Sequence, residues 1–375
     1  MSDDPAAGQD TAESTAEGQN DDANGPENGK HSENDNGSGL TYADAGVDIA
    51  ASETATQALI GAVAGDPPTD GAYAGLYDLG DQSLALTTDG VGTKLLVASA
   101  MDEFSTIGID CVAMNVNDLV AAGVRPLAFV DYLAVDEPDA ARAAELGEGL
   151  SAGADAAGVA LLGGETAVLP AVVDGFDLAG TAAGLAPNAN LFPGEAAPGD
   201  ALVGFASSGI HANGLTLARQ SVTREYEYTD PVPFDSARSV GEALLEPTRI
   251  YVEYLDALRR HDTRAAAHIT GGGWRNLRRM GAFRYVVTDP LPAQAVFGLV
   301  QSTGGVSDAE MHRTFNMGTG FVAALAPAHA EKLAAETDGE IIGRVRERTD
   351  EHHTDDTTPE AESDGGTVSV RGIEL

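Results

Sequence analysis

The chain has 375 residues, enough for two domains with sizeable cores. Its 59 acidic residues face only 21 basic ones, a formal charge of −38 that continues through the body of the chain, and such a surface repels DNA, RNA and anionic membranes. The single cysteine, Cys111, excludes an intramolecular disulfide and any multi-cysteine metal cluster.

Residues 1–39 hold no Val, Ile, Leu, Phe, Tyr or Trp, so they cannot bury enough surface to offset their ordering entropy and are expected to be a disordered acidic tail. Leu84 to Thr87 reads as a short strand. Thr106 to Ala122 reads as a helix stopped by Gly123, and Pro138 to Ala157 as a second one stopped by Gly158. Val159 to Leu162 and Leu178 to Leu185 read as strands. Three prolines between Ala186 and Gly199 mark a connection, which divides the chain into halves at 40–186 and 187–375.

In the second half, Ala201 to Ala206 reads as a strand and Leu215 to Val222 as a helix. A helix starts at Val240, and Ala265 to Ile269 is a strand entering three glycines. Ser307 and Glu310 have capping-box spacing ahead of a helix. Phe321 to Leu325 is a strand, followed by a helix from Pro327. An acidic insertion near 347–366 precedes a last strand, Thr367 to Ile373. Strands alternating with helices in both halves give an α/β or α+β class. Without an apolar leader or a membrane-length apolar run, the expected place is the cytoplasm, and the pervasive acidity suits one of high salt.

The chemistry concentrates in glycine-bearing turns. Asp89-Gly90-Val91-Gly92-Thr93-Lys94 follows a strand; its glycines allow close approach to a ligand, Lys94 offers a cation to phosphate oxygens, and Asp89 a hard oxygen for Mg²⁺. The glycine spacing is not that of a Walker A loop. Lys94 is one of only three lysines, which argues against surface filler. Asp110, Asn117 and Asp118 share one face of an otherwise apolar helix. Buried carboxylates there need partners, so the choice lies between a hydrogen-bond network and a metal–phosphate site shared with Asp89. Glu165 follows a strand and Gly163-Gly164, a common ligand position. Ser207 to Gly214 leaves a strand and enters a helix, presenting backbone N–H groups, with His211 as phosphate donor or proton shuttle; an ordinary capping loop is the simpler alternative. His268 to Gly273 and Arg313 to Gly320 are further turns of this kind, and their recurrence favours a ligand with several phosphates.

In this order, these segments resemble AIR synthetase, the phosphoribosylformylglycinamidine cyclo-ligase of purine biosynthesis, in a haloarchaeal-like form. The matching stretches are Tyr42 to Ile49, Thr88 to Lys94, Thr106 to Leu119, Gly163 to Ala167, Ser207 to Gly214, Glu246 to Tyr251, His268 to Gly273 and Arg313 to Gly320. The resemblance implies a homodimer in which N-terminal mixed sheets pair into a barrel, with a C-terminal sheet packed by helices. The 40–186 half would then bind ATP and dimerise, and the 187–375 half would face the substrate. The implied reaction is ATP-dependent cyclisation of formylglycinamidine ribonucleotide to aminoimidazole ribonucleotide. Nucleotide binding falls by resemblance to Asp89, Gly90, Gly92, Thr93, Lys94, Asn117, Asp118, Gly164 and Glu165. Mg²⁺ falls to Asp89, Asp118 and Glu165, and catalysis to His211, Lys94 and Asn213. Segment 70–80 is shorter and poorer in glycine than the family's loop. Same-architecture alternatives are a thiamine-monophosphate kinase and a non-catalytic nucleotide-binding dimer.

Overall fold

A computed structural model describes residues 39–47, 49–62, 73–348 and 366–375. The tail over 1–38, most of the acidic insertion and the start of the 70–80 loop lie outside the described residues.

The described chain opens in a turn where Thr41 Oγ1 donates to Asp44 Oδ2 at 2.7 Å and the Asp44 N–H donates back to Thr41 Oγ1 at 3.1 Å. Helix α1 (Ile49–Ala62) follows. Then come β1 (Gly75–Asp78), β2 (Gln82–Gly90), α2 (Lys94–Met101), α3 (Ile107–Ala121), β3 (Arg125–Val135), α4 (Ala140–Ala157), β4 (Ala160–Val168) and β5 (Phe176–Pro187). The five strands form one mixed sheet, ordered β1-β2-β5-β3-β4, whose only parallel pair, β3 with β4, is joined through α4.

The second half contributes β6 (Ala201–Ala206), α5 (Leu215–Val222), a small hairpin of β7 (Pro231–Val232) and β8 (Asp235–Ser239), α6 (Val240–Leu244), α7 (Leu255–Arg260), β9 (Ala265–His268) and β10 (Arg284–Val287). It continues with α8 (Ala295–Gly304), α9 (Asp308–Thr314), β11 (Thr319–Leu325), α10 (Pro327–Glu336), β12 (Glu340–Arg346), β13 (Thr367–Val370) and β14 (Ile373–Glu374). Seven of these strands form the second sheet, ordered β14-β13-β10-β12-β6-β11-β9. The expected last strand, Thr367 to Ile373, is instead two strands turned by Arg371 and Gly372, both in the left-handed region. Both sheets belong to one compact body.

Helix α3 is the centre of the first half. All its residues except Ile109 and Asp118 are buried, so it is a core helix, and the polar Asp110, Asn115 and Asn117 it carries are buried with it. Its approach to α4 is set by glycine. A Cβ on Gly108 would collide with the Leu150 N–H, and one on Gly149 would meet Ser105 O and Gly108 N at 2.5 and 2.9 Å. Helix α4 itself begins at Asp139, whose carboxylate accepts the N–H groups of Ala141 and Arg142, and ends on left-handed Gly158.

The first sheet shows alternating faces. Ala85, Thr87, Phe129, Leu133, Leu178 and Ala182 are buried on the side packed by α3 and α4. The opposite side leaves Leu86, Leu127, Val130, Tyr132 and Leu185 exposed. Alternation of this kind comes from the pleat.

Candidate active site

The aspartates meet beside the second half. Asp89 lies at the end of β2, and its carbonyl accepts from Asn115 Nδ2 at 3.2 Å. Asp118 accepts from His268 Nδ1 at 2.9 Å, while His268 Nε2 faces Asn117 Nδ2 at 3.4 Å. The amide donates to Nε2, so the imidazole carries its proton on Nδ1 and donates it to Asp118. Burial, followed by the nearby charge of Asp118, pushes the Asp89 carboxyl up to about 6. Arg279 opposes that shift from the second half. Its guanidinium stacks 4.7 Å over the ring of Tyr73, whose hydroxyl donates to His268 O at 3.1 Å. Arg279 was not singled out from sequence; its cue was the arginine-bearing run Arg275, Arg278 and Arg279 directly after the three glycines.

Two expected members stand apart from this cluster. Strand register aligns Asp89, Gly180, Asp131 and Gly164 in one row across the sheet. Glu165 is one step further, opposite Tyr132, and therefore points to the exposed face while Asp89 points to the helices. Within one chain, Glu165 cannot share a cation with Asp89. Gly164 lies tight against Asp131, where any Cβ would strike its carboxylate.

Lys94 also stands apart from the aspartate cluster. Its side chain is 0% exposed, and its ammonium sits 2.7 Å from Asp110 Oδ2 and donates to Glu246 O at 2.6 Å. It is enclosed rather than offered to a phosphate. The preceding turn remains open: Gly92 is left-handed, φ 71°, and Thr93 Oγ1 bonds Thr216 Oγ1 at 2.8 Å. Gly90 closes β2, with its N–H on the Asp89 carboxylate.

Across the cluster lies the 207–214 turn. Asn316 clamps it, accepting from Ser207 Oγ at 2.8 Å and donating to Gly209 O at 2.9 Å. The 313–320 turn thus supports the 207–214 turn through Asn316. His211 is buried with φ 69°, a left-handed backbone that costs roughly 1–2 kcal/mol for a residue with a Cβ. Its Nε2 accepts from the backbone N–H groups of Ser208 at 3.2 Å and Arg249 at 3.5 Å. The ring is therefore a neutral Nδ1–H tautomer, and that donor has no partner among the described residues. Burial, with the positive charges of Lys94 and Arg249 adding to it, holds its pKa well below the ordinary value. Gly320 makes room for it, since a Cβ there would meet Tyr251 Oη and His211 Cε1. Asn213 reaches Met114 Sδ at 3.4 Å and lies against Gly271, so it sits where the 207–214 and 268–273 turns meet. The N-terminal segment closes the same region: the Tyr42 N–H donates to Glu310 Oε1 at 2.8 Å, and the Tyr42 hydroxyl bonds the backbone of Gly214.

Comparison with known proteins decides the family. Residues 71–186 match the model of the AIR synthase related protein N-terminal domain, and residues 197–356 match that of its C-terminal domain. The chain belongs to the AIR synthase family. It is 47% identical over 317 residues to the phosphoribosylformylglycinamidine cyclo-ligase of Methanosarcina acetivorans, covering 82% of this chain and 95% of that protein. The enzyme of the same name from Thermococcus gammatolerans is 47% identical over 310 residues, covering 78% and 90%. Among solved structures, Aquifex aeolicus thiamine monophosphate kinase superposes with a TM-score of 0.60 at 17% identity, covering 87% of this chain and 98% of that one. PurL of T. maritima complexed with ADP gives 0.53 at 16% identity, covering 81% and 44%. These two structural likenesses establish the shared fold of this AIR synthase chain and nothing finer.

Proposed function

We propose that this AIR synthase family member is a phosphoribosylformylglycinamidine cyclo-ligase. The observation that carries the reading is 47% identity to cyclo-ligases along 82% of the chain, against 17% to the kinase of the same fold. In the reaction, the formyl amide oxygen of formylglycinamidine ribonucleotide attacks the γ-phosphorus of ATP; the new O–P bond forms as the bond to ADP breaks. The amidine nitrogen then attacks the activated carbon. A C–N bond forms, the C–O bond breaks, phosphate leaves with the former amide oxygen, and the nitrogen loses a proton. An amide oxygen is a poor leaving group and phosphate a good one, so the protein's task is positioning and charge stabilisation.

The chain's own residues divide that task. Asp89 and Asp118 face the phosphates, and Arg279, held on Tyr73, supplies the cation that Lys94 cannot. Among the described residues no three His, Cys, Asp or Glu side chains gather as a metal site. Two carboxylates fit Mg²⁺, which takes few protein oxygens and fills its shell with phosphate oxygens and water. Bound there, it would neutralise phosphate charge. His211 presents a neutral Nδ1–H donor beside Asn213, on the substrate side. That tautomer suits hydrogen bonding to the substrate better than proton shuttling.

The reading includes a division of labour near 186/187, a cytoplasmic setting with high salt, and a homodimer. The apolar outer face of the first sheet supports the dimer, because a monomer leaving Leu86, Leu127, Val130 and Tyr132 in water would be exceptional. Among the described residues no helix is long and apolar enough to cross a membrane.

The test supplies purified protein in concentrated potassium chloride with ATP and Mg²⁺. Formylglycinamidine ribonucleotide should yield aminoimidazole ribonucleotide and ADP in equal amounts. ADP release that ignores this substrate and answers to thiamine monophosphate would replace the reading with a kinase. Nucleotide binding with no turnover would replace it with a silent module.

A further inference from the structure

Between α6 and the 3-10 turn at Val252–Tyr254, the chain from Leu245 to Tyr251 has no regular structure of its own. It is nonetheless fixed at nearly every residue. Lys94 Nζ donates to Glu246 O at 2.6 Å, and Ser208 Oγ donates to Pro247 O at 2.5 Å. The Thr248 N–H and hydroxyl both donate to Asp110 Oδ1, at 2.8 and 2.6 Å. The Arg249 N–H faces His211 Nε2, Asn117 Nδ2 donates to Arg249 O at 2.9 Å, and the Tyr251 N–H donates to Asn117 Oδ1 at 2.9 Å. The strap is thus gripped by α2 and α3 on one side and by the 207–211 turn on the other.

Lys94 and Asp110 are the buried charges in this arrangement, both 0% exposed. An ion pair in a dry interior is stable only if its remaining hydrogen-bonding capacity is met. The strap supplies the further partners the pair has: Glu246 O for the ammonium and the Thr248 N–H and hydroxyl for the carboxylate. A phosphate contact would require the ammonium to leave a carboxylate 2.7 Å away and cross the packing around it.

We infer that Lys94 is a positioning residue, which acts with Asp110 to fix the 245–251 strap so that Arg249 and Ser208 hold His211 in its left-handed, Nδ1–H form. The inference rests on the cyclo-ligase reading for its kinetic consequence. The strap thereby links the nucleotide-side helices α2 and α3 to the substrate-side histidine through hydrogen bonds between its backbone and the side chains of Lys94, Asp110, Asn117, Ser208 and His211, joined by the Thr248 hydroxyl on Asp110.

Two variants and a paired control test it. Thr248→Val keeps both charges and removes only the hydroxyl donor to Asp110. Lys94→Met removes the ammonium, and Lys94→Met/Asp110→Leu removes both charges, so that no bare carboxylate remains to unfold the protein. Each is assayed for kcat and for KM of ATP, with nitrogen-15 spectra of the His211 ring. All three should lower kcat by about 10- to 100-fold, the scale of an ångström-level misplacement, while KM for ATP changes by less than about twofold. The His211 ring signals should shift in each. A KM for ATP that rises tenfold in Lys94→Met, with Thr248→Val unchanged in kcat and ring signals, would make Lys94 a phosphate ligand and overturn the inference. If wild-type protein does not turn over the substrate, the functional reading fails by itself. The ring signals then decide alone: shifted in Thr248→Val they uphold the positioning role, unshifted they end it.

Discussion

At the scale of single residues, the proposed cation at the phosphates is Arg279, in place of the Lys94 that the family resemblance implies. A lysine in a glycine-rich turn of a lysine-poor chain was rightly singled out as unusual, but its unusual feature is burial. Sequence offers no measure of how far a side chain is enclosed, and its partners Asp110 and Glu246 are distant in the chain. In the proposed function Arg279 is assigned the phosphate-facing role, because it is exposed, stacked on Tyr73 and close enough to act on Asp89. Arg279→Met should therefore raise KM for ATP by about tenfold or more, as expected for losing charge-assisted hydrogen bonds worth roughly 1.5–3 kcal/mol. Steady-state kinetics with ATP varied checks this; an unchanged KM would remove Arg279 from the nucleotide site. Asp110, Asn117 and Asp118 were legible as one face of a buried helix, and the structure gives the first two to the strap and the third to His268. Cys111 is buried within α3, where burial raises its thiol pKa, in keeping with a small inert core residue.

At the scale of elements, capped and glycine-stopped helices were the most legible. Helix α4 has the Asp139 cap and the Gly158 stop, and β6 and α5 fall where the apolar pattern put them. Strand β3 was not anticipated, because Pro126 near its start and Asp131 within it interrupt the apolar run; the pairing with β5 shifts register just after that proline. Helix α2 was also missed: it is eight residues long, and Thr93 provides no side-chain cap. The close crossing of α3 and α4 is invisible without a partner, since a helical glycine reads only as a weak helix former. Gly149→Val should lower stability by roughly 1–3 kcal/mol through overpacking, seen as a reduced melting temperature at fixed salt. A melting temperature equal to wild type would mean that the two helices are not held at this distance.

At the scale of the whole molecule, two surfaces govern behaviour. The outer face of the first sheet is apolar, whereas the chain as a whole carries −38 charges. Pairing of two such faces removes the apolar surface from water, and salt screens the repulsion between two highly acidic copies. Light scattering in concentrated potassium chloride should give a dimer mass. Leu86→Glu together with Leu127→Glu should give a monomer; a dimer that survives both changes must use another surface. The pairing of strands was implied by family resemblance alone, because residues such as Leu127 and Tyr132 look like core positions until the sheet shows that nothing in the described chain covers them.

If ATP activates the amide oxygen for departure, one isotope measurement shows it directly. Formylglycinamidine ribonucleotide labelled with oxygen-18 in its formyl group is turned over once with ATP, and the inorganic phosphate is analysed by mass spectrometry. The expected result is one labelled oxygen in each phosphate released. Unlabelled phosphate, with the label in water or retained in the nucleotide product, would contradict phosphoryl activation and the cyclo-ligase mechanism with it.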